Sequence, residues 1–323
     1  MKIIKKTSIS SLNKKYDLIV GWGNAPIELS KRFTADELRL RYIVNGENIN
    51  IGKNICGAII VPPEKFLSFE GKICFIIFSN VELRILPQIN EMYPQADTIV
   101  SRLVDFEDRC FRKRSYSTDC EDYILLNLVK KLSLPKDFSY MDIGVCHPVV
   151  RNNTYALYEA GYINGTLVDP NPEMMGLAEE YRPENRRVIA GAGVEEGILP
   201  YVRKKNGGAA GKNHFLRDGE IVDESEYIVE KFPIYDINHI IDEYCSSVPE
   251  VLDIDAEGMD YAILEHIDFD KYPIKIICAE RDKNEKIYNL MLNRGYIHYA
   301  ETRENIILVR AEIAKGVGCL KFV

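Results

Sequence analysis

One stretch constrains the chain more than any other: Tyr140-Met141-Asp142-Ile143-Gly144-Val145-Cys146-His147-Pro148. A short apolar run carrying one acid passes directly into a turn opened by glycine. Glycine lets a strand reverse tightly and lets backbone approach a ligand. Asn152-Asn153-Thr154 follows and offers a cap for the next helix. Asn164-Gly165-Thr166-Leu167-Val168-Asp169-Pro170 reads as a second strand ending on an acid. Strand, glycine turn, helix, strand and acid form the layout of a nucleotide-binding crevice, in which the acid accepts hydrogen bonds from a ribose. That layout suits a dinucleotide or S-adenosylmethionine, and later segments must separate the two.

The 323 residues suit two domains, and a hydrophobic content of 46% is ample for globular cores. Forty-one basic residues against 49 acidic ones give a net charge of -8, which argues against a nucleic-acid-binding face. Eight cysteines occur without CxxC pairs, so neither a zinc ribbon nor a disulfide framework is indicated. Reduced thiols point to the cytoplasm. The start, Met1-Lys2-Ile3-Ile4-Lys5-Lys6, lacks the apolar run of a signal peptide. No stretch approaches the ~20 apolar residues of a membrane span.

The first third, residues 1–105, alternates apolar strands with helices, the pattern of a parallel sheet with covered faces. Strands are predicted at 17–25, 40–44, 57–61 and 72–78. One helix is predicted through Ile27, Leu29 and Phe33, another through Val81, Leu83, Ile85, Ile89 and Met92. The arrangement resembles the small Rossmann-like domains of sugar-modifying bacterial proteins. Gly21 and Gly23 match only the start of GxGxxG, because Pro26 stands at the third glycine position. A tight turn is the better reading of that pair, and no catalysis is assigned here. Residues 106–120 are read as a linker, with Arg112-Lys113-Arg114 as a solvated basic run.

Residues 121–323 repeat the alternation. A helix through Tyr123, Leu125, Leu126, Leu128 and Val129 precedes the strand at Tyr140. Further strands are expected at 187–193, 251–258 and 274–280, with helices at 174–181, 259–267 and through Ile287, Leu290 and Leu292. Two last strands, at 296–300 and 306–310, are close enough for an antiparallel hairpin. This α/β pattern looks like the seven-stranded, Rossmann-like sheet of class I methyltransferases, preceded by the smaller N-terminal Rossmann-like domain.

Four motifs in order resemble the FkbM-type methyltransferases: Asp142-Ile143-Gly144, Asn152-Asn153-Thr154-Tyr155, Val168-Asp169-Pro170-Asn171-Pro172 and Asp253-Ile254-Asp255-Ala256-Glu257-Gly258. The family implies an S-adenosylmethionine-dependent O-methyltransferase acting on a sugar or sugar-containing precursor, in surface glycan or natural-product biosynthesis. Family members often continue the first turn as alanine, asparagine, any residue, glycine; here Val145, Cys146 and Pro148 replace the named three.

Roles follow for single residues. Asp142 orients the turn or meets the cofactor ammonium, and Gly144 makes room for the methionine portion. Asn153 and Thr154 present donors to the cofactor carboxylate. Asp169, with Pro170 and Asn171, suits the ribose, or else caps a turn. Ala192, within Gly191-Ala192-Gly193, lies at the adenine edge, and Asp253 joins the cofactor set.

Period-two spacing puts Asp253, Asp255 and Glu257 on one face while the strand lasts. Asp255 or Glu257 serves as general base, or Asp255 and Glu280, with Asp253 or Asp282, hold a divalent cation such as Mg²⁺. A third reading has these acids hold Arg281 or cap helices. His147 is a base or a turn residue. His214 lies in a glycine-rich loop that either closes over the acceptor or, as the slightly better reading, stays at the surface, and His239, His266 and His298 are read as structural. Two other functions stay open. One is a nucleotide-dependent oxidoreductase using Gly21-Trp22-Gly23; the other is a non-catalytic binding module with a degenerate cofactor fold.

Overall fold

The computed structural model describes residues 2–3, 7–23, 39–45, 50–55, 57–78, 82–100, 104–105, 115–205, 213–216 and 219–314. The helix expected through Ile27, Leu29 and Phe33, Pro26 and the run Arg112–Arg114 lie outside these residues. Two compact units meet in the sequence between residues 114 and 115.

In the first unit, seven strands run in the order 2–3, 97–100, 73–78, 18–23, 42–44, 58–61, 54–55. All neighbours are parallel except the last pair. Leu18–Gly23 and Ile73–Phe78 are apolar along their length because both faces are buried. Trp22 packs edge-on to Phe75 at 5.3 Å. The expected helix appears as Glu82–Met92 and buries Ile85, Leu86 and Ile89. Asp97–Val100 is a strand that the pattern did not announce.

The second unit opens with α1, Glu121–Lys131, which carries acids in its first turn and lysines in its last, as the helix dipole favours. The main sheet is built from β1 (Tyr140–Ile143), β2 (Gly165–Val168), β3 (Arg186–Val188), β4 (Val251–Ile254), β5 (Ile276–Glu280), β6 (Tyr296–Glu301) and β7 (Asn305–Arg310). Its spatial order is β3-β2-β1-β4-β5-β7-β6. β1 to β5 are parallel, while β7 runs antiparallel to both β5 and β6. Connecting helices are α2 (Tyr155–Glu159), α3 (Pro172–Tyr181), α4 (Ile237–Tyr244), α5 (Asp260–His266) and α6 (Lys286–Asn293). Met141, Ile143, Leu252, Ile254, Ile277 and Leu308 belong to one buried core. Strand order reverses between β1 and β4, and such a switch point opens a crevice beyond the carboxyl ends of the strands.

The strand expected at 187–193 divides in two. Arg186–Val188 stays in the main sheet, while Gly191–Gly193 begins a four-stranded accessory sheet, with 227–236, 197–204 and 214–215 beside it in that order. Gly191 permits this departure, since a Cβ there would lie 2.2 Å from the Phe215 ring. His214, on the accessory sheet, meets Glu220 at 2.7 Å. His239 and His266 pair at the surface with Glu196 and Asp236, and the His298 ring packs edge-on to Tyr288. Among the described residues, no helix is long and apolar enough to cross a membrane.

Packing within the sheet yields a paired test. A Cβ on Gly165 would come within 2.3 Å of the Tyr140 ring, whereas one on Gly176 in α3 meets nothing. Tyr140 cannot yield, because Arg182 and Asn185 hold its hydroxyl. Gly165→Ala is expected to destabilise by about 1–3 kcal/mol through overpacking. Gly176→Ala is expected to stabilise by up to ~1 kcal/mol through helix propensity. Opposite shifts in urea-denaturation midpoint check both.

Candidate active site

The ends of three strands are stitched together around Gly144. Its amide donates to the Val168 carbonyl at 2.9 Å, and the Asp255 amide donates to Ile143 at 3.0 Å. Gly144 has φ +77°, and a Cβ there would stand 1.8 Å from the Asp255 carbonyl oxygen. Only glycine fits. Cys146 and Arg151 also adopt left-handed backbone, at φ 54° and 57°. That geometry explains the departure at Cys146. Asparagine tolerates a left-handed position best, but the contact made here is by main chain, the Cys146 amide donating to Asp169 Oδ2 at 2.8 Å.

His147 closes the same turn. Its Nδ1 accepts the amides of Val149 and Val150, both at 3.0 Å. Both amides converge on the one lone pair of that nitrogen, which holds the ring in the turn.

Asp142 and Thr154, expected at the cofactor, point instead into a buried network. Asp142 Oδ2 accepts from the Thr154 hydroxyl and from Asn152 Nδ2, and lies 3.5 Å from Arg182 Nη1. The Arg182 side chain is fully buried. Its Nη2 donates to Tyr140 at 2.9 Å and Thr154 at 3.0 Å, its Nε to Asn185 at 2.7 Å, and its Nη1 to Asn152 at 3.3 Å. Asn152 Oδ1 also accepts the amides of Thr154 and Tyr155, which starts α2. A buried guanidinium needs a counter-charge and full hydrogen bonding, and Asp142 supplies the charge. Asn153 escapes this network and turns to β4, donating to Asp253 Oδ1 at 3.1 Å.

Asp169 ends β2 and uses both oxygens on turns: Oδ2 on Cys146 and Oδ1 on the Asn171 amide at 2.8 Å. Each oxygen keeps a further lone pair. Burial pushes the carboxyl up to about 6 against the pull of those two amides. Asn171 is the N-cap of α3, accepting from Glu173 and Met174, with Pro172 in the first turn. Its side chain is thereby committed to the helix. Pro170 follows Asp169 and is buried, and Ala192 is buried on the accessory sheet opposite Tyr235.

The three acids expected on one face do not stay together. β4 ends at Ile254, so Asp253 is buried inside while Asp255 is exposed and Glu257 sits at φ 49°. Asp253 is pushed well above the carboxylate range by burial and by the charge of Asp142. Although its side chain reaches solvent, Asp255 is pushed up to about 7, first by desolvation, then by Asp260, Glu257 and Glu280. Glu280 is raised by burial and by Asp260 and Glu257. Asp260, buried at the start of α5, accepts the amides of Ala256 at 2.9 Å and Gly258 at 3.2 Å and so shapes the loop.

The cation reading of Asp255 and Glu280 is not supported. Among the described residues, no group of three or more His, Cys, Asp or Glu could hold a metal ion. Asp282 caps α6 through Lys286 and Ile287, and Arg281 donates to the Thr302 carbonyl. In the first unit, a Cβ on Gly21 would meet the Phe78 ring at 3.1 Å, and Gly23 has φ +99°, so packing and a turn account for both.

Arg182, Asn185 and Asp260 were not foreseen. Arg182 stands between the end of α3 and Pro183, where a cation normally faces water and the helix dipole. The buried pair gives a direct test. Arg182→Met leaves Asp142 as a buried, uncompensated charge and is expected to cost about 3–5 kcal/mol. Adding Asp142→Asn should recover a large part of that loss. A double-mutant cycle by urea denaturation measures the coupling.

A family model described as the methyltransferase FkbM domain matches residues 142–297. The match begins on Asp142 at the crevice and takes in β2 to β5 before ending in β6. No curated protein and no solved structure matches the chain. Residues 142–297, which hold the stitched strand ends and their acids, are thus the part of the chain that matches the FkbM methyltransferase domain.

Proposed function

We propose that the crevice beyond β1, β2 and β4 binds S-adenosylmethionine and directs its methyl group to a hydroxyl oxygen of a sugar or nucleotide-sugar-like acceptor. The observation that carries the reading is Asp255, an exposed carboxyl pushed up to about 7 at the end of β4. A base poised near neutrality takes a proton from a hydroxyl far better than an ordinary aspartate. The strand order β3-β2-β1-β4-β5-β7-β6 supports a class I methyltransferase sheet.

The residues suit the donor molecule. Its sulfonium and ammonium are cationic, and acids gather at the crevice, Asp255 and Glu257 among them. When bound, the donor supplies an electrophilic methyl group. Asn153 and Asp253 offer a hydrogen-bonded pair to its amino-acid end, and Asp169 offers its remaining lone pairs to the ribose. Asp255 removes the hydroxyl proton, with Glu257 adding the negative charge that raises its basicity. Alignment and water exclusion complete an in-line displacement. The sugar acceptor and a role in glycan or natural-product biosynthesis rest on the family resemblance of the four motifs. Residues 1–105 are proposed as a separate Rossmann-like domain, and free thiols such as Cys74 and Cys278 agree with a cytoplasmic setting.

Two measurements test this reading. Because Asp255 acts when deprotonated, kcat/KM is expected to rise as pH increases through about 7 and to level off above it. Asp255→Asn should abolish that limb and lower kcat by about 10²–10⁴-fold. A variant that keeps the limb and the rate would remove Asp255 from the reaction. Asp169→Ala is expected to weaken S-adenosylhomocysteine binding by roughly tenfold or more in calorimetry, from lost hydrogen bonds to a charged group. Tight NAD binding without S-adenosylhomocysteine binding would instead support the oxidoreductase.

A further inference from the structure

The accessory sheet contributes a residue that the crevice account has not used. Tyr201 lies in strand 197–204, opposite Glu230 on one side and Phe215 on the other. Its ring is held edge-on between Phe215 at 5.2 Å and Phe232 at 5.8 Å, and only 5% of the residue is exposed. A buried tyrosine usually finds a partner for its hydroxyl. Among the described residues, no protein group bonds the Tyr201 hydroxyl, and its oxygen is not among the fully buried unpartnered atoms, so it stays open to a ligand.

Two observations aim that hydroxyl at the crevice. Strand alternation puts Tyr201 and Arg203 on the same face. Arg203 reaches Glu173 at 3.0 Å, in the first turn of α3, just beyond Asp169 and Asn171. The face that carries Tyr201 therefore looks onto the exit of β2. Beside that geometry, burial and the nearby carboxylates of Asp169 and Glu257 push the Tyr201 phenol far above its ordinary range, and the Cys146 thiol lies close to it as well. Those three residues belong to the crevice, and a phenol kept protonated beside them is a hydrogen-bond donor.

We infer that Tyr201 is a further binding residue of the crevice, donating a hydrogen bond to the nucleoside half of S-adenosylmethionine beside Asp169. The inference rests on the methyl-donor reading above. Asp169, when ionised, can only accept, and the Cys146 amide is already spent on it. A ribose hydroxyl that donates to Asp169 has lone pairs left over, and the Tyr201 hydroxyl supplies the missing donor. The accessory sheet then serves as a wall that recognises the nucleoside.

Tyr201→Phe tests this cleanly, since it removes one oxygen and keeps the ring packing. Calorimetry with S-adenosylhomocysteine and with 5′-methylthioadenosine, which lacks the amino-acid end, should show Kd raised by about three- to tenfold for both. The unliganded melting temperature should not fall. Unchanged affinity for both ligands would overturn the inference, as would a loss confined to S-adenosylhomocysteine. A lower unliganded melting temperature would also overturn it, by revealing a protein partner for the hydroxyl. Failure of the unaltered protein to bind either ligand would instead remove the methyl-donor reading on which the inference stands.

Discussion

A guanidinium sealed away from water beneath the first turn sets the terms for the whole active end of this sheet. Arg182 is fully buried, and desolvating it is costly unless every donor is used and the charge is met. Asp142 meets the charge, while Tyr140, Asn152, Thr154 and Asn185 take the donors. Through Asn152 the same network caps α2, and through Asp142 it fixes the residue just before the glycine turn. The turn is thereby held from below, which leaves Asn153 free to face β4 and the Gly144 backbone free to approach the neighbouring strand.

Charge of the opposite sign dominates above that network. Asp169, Asp253, Asp255 and Glu280 are all raised, with burial the largest cause in each case. Concentrating carboxylates at the mouth of a crevice costs free energy in the free protein. A cationic ligand relieves that cost, and a carboxyl raised towards neutrality is also a better base. In the proposed function, one arrangement of acids serves both attraction of the methyl donor and removal of a proton.

Much of this fold was legible in the sequence because its strands are short, apolar and stopped by glycine, proline or acids. The four main-sheet motifs and the terminal hairpin fall where the pattern put them. Strand 197–204 was not legible, since it carries Pro200 and a mixed, half-exposed pattern without clean alternation. Consequently the accessory sheet, and Tyr201 with it, went unseen. Asp142 and Thr154 were recognised as special residues but given ligand contacts, because the buried partner that claims them, Arg182, sits 40 and 28 residues away in an ordinary surface context. His147 and Asn171 went the same way: local backbone amides claim their side chains. The acids were grouped by strand spacing that ends at Ile254, so Asp255 and Glu257 part from Asp253.

The central claim is that the ligand crevice lies beyond β1, β2 and β4 and takes S-adenosylmethionine. Hydrogen–deuterium exchange of the full chain, with and without saturating S-adenosylhomocysteine, tests it most directly. The account predicts slowed exchange in residues 144–154, 169–171 and 255–258, with residues 18–23 unchanged. Unaltered exchange in all three segments, or protection of residues 18–23 by NAD in their place, would contradict it.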